Sequence, residues 1–221
     1  GYPPIIEADG TEREVFTFEE FSENFEWSKV NTVGPIFNLD KLNWLNGHYI
    51  RELEPRDFAA RILPFLVADG VLPEQPSLPQ LGRLNLVAEL IQTRINLLSE
   101  ATPLVAPFFT DDAELPIADD ARAQLKETAP QVLDAAIAAL EPISGSLGKP
   151  DGTGIEWVHE RIEAALREAV VDGLGIKPKF AFGPLRTAVS GQRISPPLFE
   201  SMEILGKHST MERLKNLRAS L

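Results

Sequence analysis

Helix-start signals followed by apolar residues three and four positions apart recur along this chain, and they constrain its fold more than any other feature. Thr17 with Glu20 has the spacing of a capping box, and Phe16 stands where it can pack onto Phe21. Asn38 can cap a second helix, one face of which carries the apolar residues Leu39, Leu42, Leu45 and Tyr49. Alternating runs of β-branched residues, which would indicate strands, are absent. The sequence therefore predicts an all-α, multihelical fold.

The same signals predict where the helices begin and end. One starts at Phe18, and another starts at Pro55, has Gly70 as its stop signal and is expected to kink at Pro64. The remaining predicted helices cover residues 41–52, 84–98, 119–127, 130–140, 154–171, 178–190, 196–205 and 210–220. Further capping boxes are predicted at two places, Thr153 with Glu156 and Ser209 with Glu212.

A Gly-, Ser- and Pro-rich stretch at residues 142–154 is the clearest loop and a candidate hinge between two helical subdomains. We therefore predict three segments. Residues 1–75 form the first helical segment, residues 76–145 form the first helical subdomain, and residues 146–221 form the second.

Composition limits the cellular setting and the chemistry. The chain has no cysteine, which excludes disulfides, thiolate catalysis and cysteine-bound zinc and is simplest to reconcile with a reducing cytosol. No apolar run approaches the roughly 18 residues that a membrane span needs, and residues 1–7 lack the order of a signal peptide. We therefore expect a cytoplasmic protein without a membrane partner.

Charge is unevenly distributed along the chain. The net charge of −12 argues against non-specific nucleic-acid binding, which depends on phosphate neutralisation by Lys and Arg. From residue 176 onward, however, eight basic residues stand against three acidic ones, so this tail carries +5 and the rest −17. An acidic body with a basic end suits a protein that admits RNA along one face only, although a solvated helical surface would show the same composition.

The best candidate for metal or acid–base chemistry is a charged helical face formed by Glu156, His159, Glu160 and Glu163. A carboxylate-bridged di-iron site would need a second Glu-x-x-His pair, which the other histidines do not supply. The zinc-protease pattern fails because Glu163 stands where its second histidine belongs. No G-x-S-x-G nucleophile motif is present either. We predict a solvated charged face and no metal site.

Two blocks carry a resemblance to a known family. Residues 37–51 read FNLDKLNWLNGHYIR, and residues 184–191 read PLRTAVSG, followed by PPLFE at residues 196–200. Together and in this order they resemble the C-terminal, tRNA-binding half of bacterial glutamyl-tRNA synthetases of the discriminating type. The resemblance runs from about residue 15 to the C-terminus, and residues 111–154 match only in their helical character, without a shared motif.

The resemblance implies a fold, an activity and partners. The parent would be a class I ligase that joins glutamate to tRNA(Glu) with ATP and magnesium. The HIGH-like and KMSKS-like motifs of its catalytic domain do not occur in this chain. We therefore expect a multihelical anticodon-binding region that performs no chemistry alone and holds no cofactor. Its expected partners are tRNA(Glu) and the N-terminal catalytic domain of the same protein.

The first block implies contacts with the inner corner of the tRNA, made by Lys41, Trp44 and Arg51 through phosphate or ribose groups. From the residues alone, Trp44 could equally pack into the core or lie on a half-exposed face with the polar residues around it.

The second block implies anticodon contacts by Arg186 and by the loop Ser195, Pro196, Pro197 and Leu198. At Pro197 the sequence departs from the family, because proline removes a backbone N–H that could bind RNA.

Arg94 is similar to the arginine with which discriminating synthetases read the third anticodon base. A helix-end arginine in solvent is the alternative interpretation. For the chain as a whole, the alternative function is a helical protein-interaction module without RNA binding. A metallohydrolase that uses Glu156 and His159 is the remaining rival.

Overall fold

The computed structural model describes residues 3–31, 33–34, 37–145 and 157–221. Within these ranges nearly all regular structure is helical, which confirms the all-α prediction. The exception is a short antiparallel pair, β1 (Ile5–Ile6) and β2 (Glu12–Arg13), in which Ile5 lies opposite Arg13.

The helices follow one another along the chain with short connections. The longer ones are α1 (Phe18–Glu23), α2 (Leu39–Glu52), α3 (Pro55–Ala68), α4 (Leu78–Ile91), α5 (Ala101–Val105), α6 (Asp119–Ala123), α7 (Ala129–Leu140), α8 (His159–Leu166), α9 (Pro178–Ser190) and α10 (Leu198–Ala219). Between them lie single 3₁₀ turns at Trp27–Lys29, Gln92–Arg94, Leu98–Glu100 and Ala106–Phe108, and a π-helical turn at Arg167–Asp172. Within the described residues, no helix is long and apolar enough to cross a membrane.

Local signals account well for several helix ends. Thr17 Oγ1 accepts the Glu20 N–H at 3.2 Å while Glu20 Oε2 accepts the Thr17 N–H at 2.7 Å, so the predicted capping box of α1 is present. The Asn38 side chain caps α2 by accepting from the Lys41 N–H at 3.1 Å. At α9 the predicted bounds are correct, because Pro178 occupies the first turn and Gly191 ends the helix in the left-handed region.

The predicted bounds of α4 are wrong at both ends. The helix starts at Leu78 because Ser77 and Gln80 form a capping box and Pro79 fits the first turn, where its missing N–H costs nothing. It ends at Ile91, since the chain tightens into the 3₁₀ turn Gln92–Arg94 instead of continuing to residue 98.

The C-terminal third also departs from the prediction in detail. Helix α8 begins at His159, and residues 146–156, which include Glu156, the Thr153 capping box and most of the predicted hinge, lie outside the described residues. The last two predicted helices are both present, because α10 consists of two helices that meet in a kink at Gly206, whose φ of 81° and ψ of 165° are not helical. The second of them begins before residue 210, directly after the kink. Ser209 therefore lies inside a helix and does not cap one.

One apolar core joins α2 to α10. Its first member along the chain is Ile50 at the end of α2, and its last is Leu217 in α10. Helix α3 packs on α4 and α5, while α7 packs on α8, α9 and α10. The described residues before Ile50 contribute no buried apolar side chain. The predicted segment boundaries after residues 75 and 145 stay a prediction.

A buried arginine ties the C-terminal end of α9 to α10. Arg213 is only 2% exposed, and its Nε donates to Asp112 Oδ1 at 2.6 Å. Its Nη1 donates to the Val189 carbonyl at 2.7 Å, and its Nη2 donates to the Thr110 carbonyl at 3.0 Å. All three arms of the guanidinium are thus occupied, which offsets the cost of burying its charge. These bonds hold the loop after the Ala106–Phe108 turn against the end of α9.

Candidate nucleic-acid interface

Arg186 lies in the middle of α9, half-buried, and organises the loop that follows the helix. Its Nη1 donates to Ser195 Oγ at 2.6 Å and to the Pro196 carbonyl at 3.1 Å. Burial lowers the pKa of the Arg186 guanidinium, and the positive charge of the neighbouring Arg94 lowers it further. An arginine still stays protonated in this situation, so Arg186 keeps its charge beside the loop.

The loop from Ser195 to Leu198 is largely packed. Ser195, Pro196 and Leu198 are buried, and Pro197 is the partly exposed member. The Pro197 carbonyl starts α10 by accepting the Ser201 N–H at 3.0 Å. The structure therefore gives the buried side chains a packing role, and their contact with an anticodon stays a prediction.

A groove of about 480 Å³ runs alongside Arg186. One wall comes from α9 and the short loop after it, and the other comes from the connection between α6 and α7. Among the described residues, four basic side chains line it: Lys126, Lys179, Arg186 and Arg193. The ring of Phe180, 48% exposed, lies among them.

Such a combination of cations and an exposed aromatic ring is typical of single-stranded nucleic-acid sites. Cations follow the phosphates, and the ring offers a face on which a base can stack. Arg193 also approaches Asp120, with Nε and Oδ2 3.6 Å apart, but this exposed pair is weak and leaves the charge accessible.

Four residues of this groove were not predicted from the sequence: Lys126, Lys179, Phe180 and Arg193. Lys179 and Arg193 belong to the basic tail, so the charge count contained a signal for them. Nothing in the sequence distinguishes Phe180 from a core phenylalanine, and Lys126 is distant from the tail in the chain.

Arg94 lies in the 3₁₀ turn Gln92–Arg94 and is exposed. It is close enough to Arg186 for the two charges to interact, although the residues belong to different parts of the chain. The two arginines that the sequence singles out for anticodon contacts therefore lie within range of each other's charge.

The three predicted inner-corner residues lie on α2, and none of them lines the groove. Lys41 Nζ pairs with Glu14 Oε1 at 2.6 Å, and Arg51 is exposed. Trp44 is 47% exposed and stacks on His48, with ring centroids 6.2 Å apart. Of the two interpretations of Trp44, the half-exposed face is therefore correct. Contact of this face with RNA stays a prediction.

The charged face around His159 is occupied by ion pairs. His159 Nδ1 lies 2.7 Å from Glu203 Oε2, and this hydrogen bond raises the pKa of His159. Glu163 pairs with Arg167 at 2.6 Å, while Glu156 lies outside the described residues. Within the described ranges, no group of three or more His, Asp or Glu side chains is arranged to hold a metal ion.

Comparison with known proteins connects this geometry to a family. The family model described as "Anticodon binding domain" matches residues 57–218. The chain is 47% identical over 210 residues to the glutamate–tRNA ligase of Kineococcus radiotolerans, and also 47% identical over 210 residues to that of Kocuria rhizophila. These alignments cover 95% of this chain but only 40% and 39% of the two relatives.

A solved structure of a glutamate tRNA ligase from Elizabethkingia meningosepticum is similar in fold, with a TM-score of 0.72 at 18% identity. The match covers 100% of this chain and 39% of that one. The chain thus spans about 40% of the length of its relatives.

Proposed function

The chain belongs to the anticodon-binding-domain family, and from that membership we propose that it binds tRNA(Glu) and recognises its anticodon as part of a glutamate–tRNA ligase. The observation that carries the proposal is the groove beside Arg186, which four cations and an exposed phenylalanine line together. Unpaired bases of an anticodon loop can splay out and stack on such a ring while the cations contact the phosphates.

Electrostatics restricts where RNA can bind. The chain carries −12 overall, so most of its surface repels phosphate, and the groove concentrates positive charge in one place. A helical protein-interaction module would require neither this concentration of cations nor an exposed ring among them. The groove and the family membership both favour RNA binding over that alternative.

We assign the reading of the third anticodon base to Arg94. Its guanidinium carries donors only, and cytosine presents the acceptors N3 and O2 on its Watson–Crick edge. Guanine presents N–H donors on the same edge, so it would meet the arginine donor to donor. A desolvated mismatch of this kind costs about 1–3 kcal/mol, which would separate glutamate anticodons from glutamine anticodons.

The exposed apolar side chains in the N-terminal part of the chain support a second proposed partner, which is the remainder of the ligase. The described residues before Ile50 expose several large apolar side chains and bury none, so they cannot form a core of their own. The exposed ones are Ile6, Phe18, Trp27, Val33, Phe37, Leu39, Leu42, Trp44 and Tyr49. Surfaces of this kind usually mark an interaction site. We assign the ATP- and magnesium-dependent chemistry to that remainder, in a cytoplasmic enzyme.

The groove can be tested with a matched pair of substitutions. Phe180→Ala removes the exposed ring from the groove, and Phe65→Ala removes a comparably exposed ring, 38%, from α3, outside the groove. Binding of a tRNA(Glu) transcript is measured by filter retention across a salt series, with the chain and with the full-length protein that carries it.

Loss of one stacked base weakens binding by about 1–3 kcal/mol, or roughly five- to 150-fold. We expect this loss for Phe180→Ala and unchanged affinity for Phe65→Ala. Affinity should also fall as salt rises, because binding releases counterions. Equal affinities for the two variants would remove the groove from the RNA site, and the absence of any salt-dependent binding would favour the protein-interaction module.

A further inference from the structure

We propose that Gln92 is a positioning residue that sets Arg94 against the third anticodon base by anchoring its turn to the end of α2. The inference rests on the proposed function of Arg94. Gln92 is 7% exposed, and its Nε2 donates both to the Ile50 carbonyl at 2.8 Å and to the Leu53 carbonyl at 2.7 Å. Both protons of the side-chain amide are thus used.

The two accepting carbonyls explain why a glutamine at this position matters. The last carbonyls of a helix have no partner within the helix and need donors from elsewhere. Ile50 lies in the final turn of α2, where its carbonyl also accepts the Leu53 N–H at 3.3 Å, and Leu53 is the residue that caps the helix. Gln92 supplies these donors from the end of another helix, so the C-terminal end of α2 and the Gln92–Arg94 turn are fixed to each other.

Arg94 is held between two buried neighbours. Gln92 begins the turn, and Ile95, directly after Arg94, is buried in the apolar core. The backbone of Arg94 is therefore anchored on both sides, while the residue itself is exposed.

A second contact with α2 lies just beyond Ile95. Asn46 Nδ2 donates to the Asn96 carbonyl, and Gly47 faces the Asn96 side chain so closely that a Cβ would come within 2.0 Å of Asn96 Oδ1. Helix α2 therefore touches the chain on both sides of Arg94, at Gln92 and at Asn96.

Base recognition depends on this placement. An arginine distinguishes cytosine from guanine only if its donors meet the acceptors of the base in alignment, and a misplacement of about 1 Å can cost on the order of 100-fold. Gln92 is buried and does not line the groove. Its loss should therefore act through Arg94 and reduce discrimination between the two bases.

The test uses Gln92→Met in the full-length protein that carries the chain. Methionine is similar in length and apolar, but it has no donor for either carbonyl. Glutamate charging is measured as kcat/KM on tRNA transcripts whose anticodon ends in C or in G. We expect the C-over-G ratio to fall about tenfold.

Three further variants separate positioning from general destabilisation. Ile162→Val, in the buried face of α8, weakens the core away from this site and should leave the ratio unchanged. Arg94→Gln should lower the ratio by itself. Adding Gln92→Met to Arg94→Gln should then lower it no further, since Gln92 acts through Arg94.

The outcomes distinguish the inference from the function on which it rests. If Arg94→Gln lowers the ratio and Gln92→Met does not, the positioning role is wrong and the reading by Arg94 stands. A further fall in the double variant would also overturn the positioning role. If Arg94→Gln leaves the ratio unchanged, Arg94 does not read the base and both claims fail. Failure of the unaltered protein to charge any transcript with glutamate would overturn the proposed ligase itself.

Discussion

Gly191, which ends α9, should tolerate no side chain. Its φ is +69°, a conformation that glycine adopts freely and other residues do not. A Cβ there would lie 2.0 Å from the Pro116 carbonyl oxygen and 3.1 Å from the carbonyl carbon. The Gly191 carbonyl also accepts the Ala118 N–H at 2.8 Å, so the approaching segment is bonded at the point of contact. Relief of the clash would require the backbone around Pro116 to move.

The cost of Gly191→Ala has two parts. The left-handed conformation costs a residue with a Cβ about 1–2 kcal/mol. Displacing the Pro116 segment breaks the bond to Ala118, which contributes about 0.5–1.5 kcal/mol, and loosens the packing around it. Together we expect the free energy of unfolding to fall by roughly 2–4 kcal/mol, which for a chain of this size lowers the melting temperature by about 4–16 °C.

Two other glycines provide matched controls in urea unfolding followed by circular dichroism. Gly175 has a φ of +66°, and a Cβ added there would meet no other atom within 4 Å, so Gly175→Ala should cost only the backbone strain, about 1–2 kcal/mol. Gly82 is exposed within α4 and also open, so Gly82→Ala should stabilise the protein by about 0.5–1 kcal/mol. If Gly191→Ala is no less stable than Gly175→Ala, the close approach to Pro116 is not what excludes a side chain.

The remaining predictions concern RNA binding, pH and catalysis. Arg186→Ala should weaken tRNA(Glu) binding by about 1–3 kcal/mol in filter assays, and it should lower the melting temperature because Ser195 and Pro196 lose their donor. Hydrogen bonding to Glu203 raises the pKa of His159, so this contribution to stability is full below pH 6.5 and is lost as pH rises through the raised pKa. The melting temperature should therefore fall more between about pH 6 and about pH 8 in the unaltered chain than in His159→Asn. The isolated chain should show no glutamate-dependent ATP–pyrophosphate exchange, because it carries no phosphate-cradling motif.

For each of these predictions on RNA binding, pH dependence and catalysis, a specific result would contradict it. Unchanged tRNA affinity in Arg186→Ala would restrict that arginine to its structural bonds. Equal pH dependence in His159→Asn would assign the effect to other groups. Pyrophosphate exchange by the chain alone would contradict the assignment of the chemistry to another part of the ligase.

Where the structural signal is local, the sequence is sufficient. The predicted bounds of helix α9 are correct because Pro178 and Gly191 act within one turn of its ends. The same kind of signal is present at α4, where Ser77 and Gln80 form a capping box, but the nearby prolines also indicate a turn. Helix α5 and the 3₁₀ turns escape prediction because they are too short to show an apolar period.

The candidate site shows the same difference between features that local sequence signals predict and features that depend on packing. The sequence by itself determined an all-α chain through its helix signals. The family resemblance singled out two arginines, Arg186 inside one of the two blocks and Arg94 outside both of them. Only the tertiary structure decided that these arginines approach each other, that Phe180 is exposed among cations, and that Gln92 joins α2 to the arginine turn. The physical reason is the distance along the chain over which each kind of signal acts. Caps and apolar periods act within a turn or two of helix, whereas the groove and the Gln92 contacts depend on how distant helices pack around one shared core.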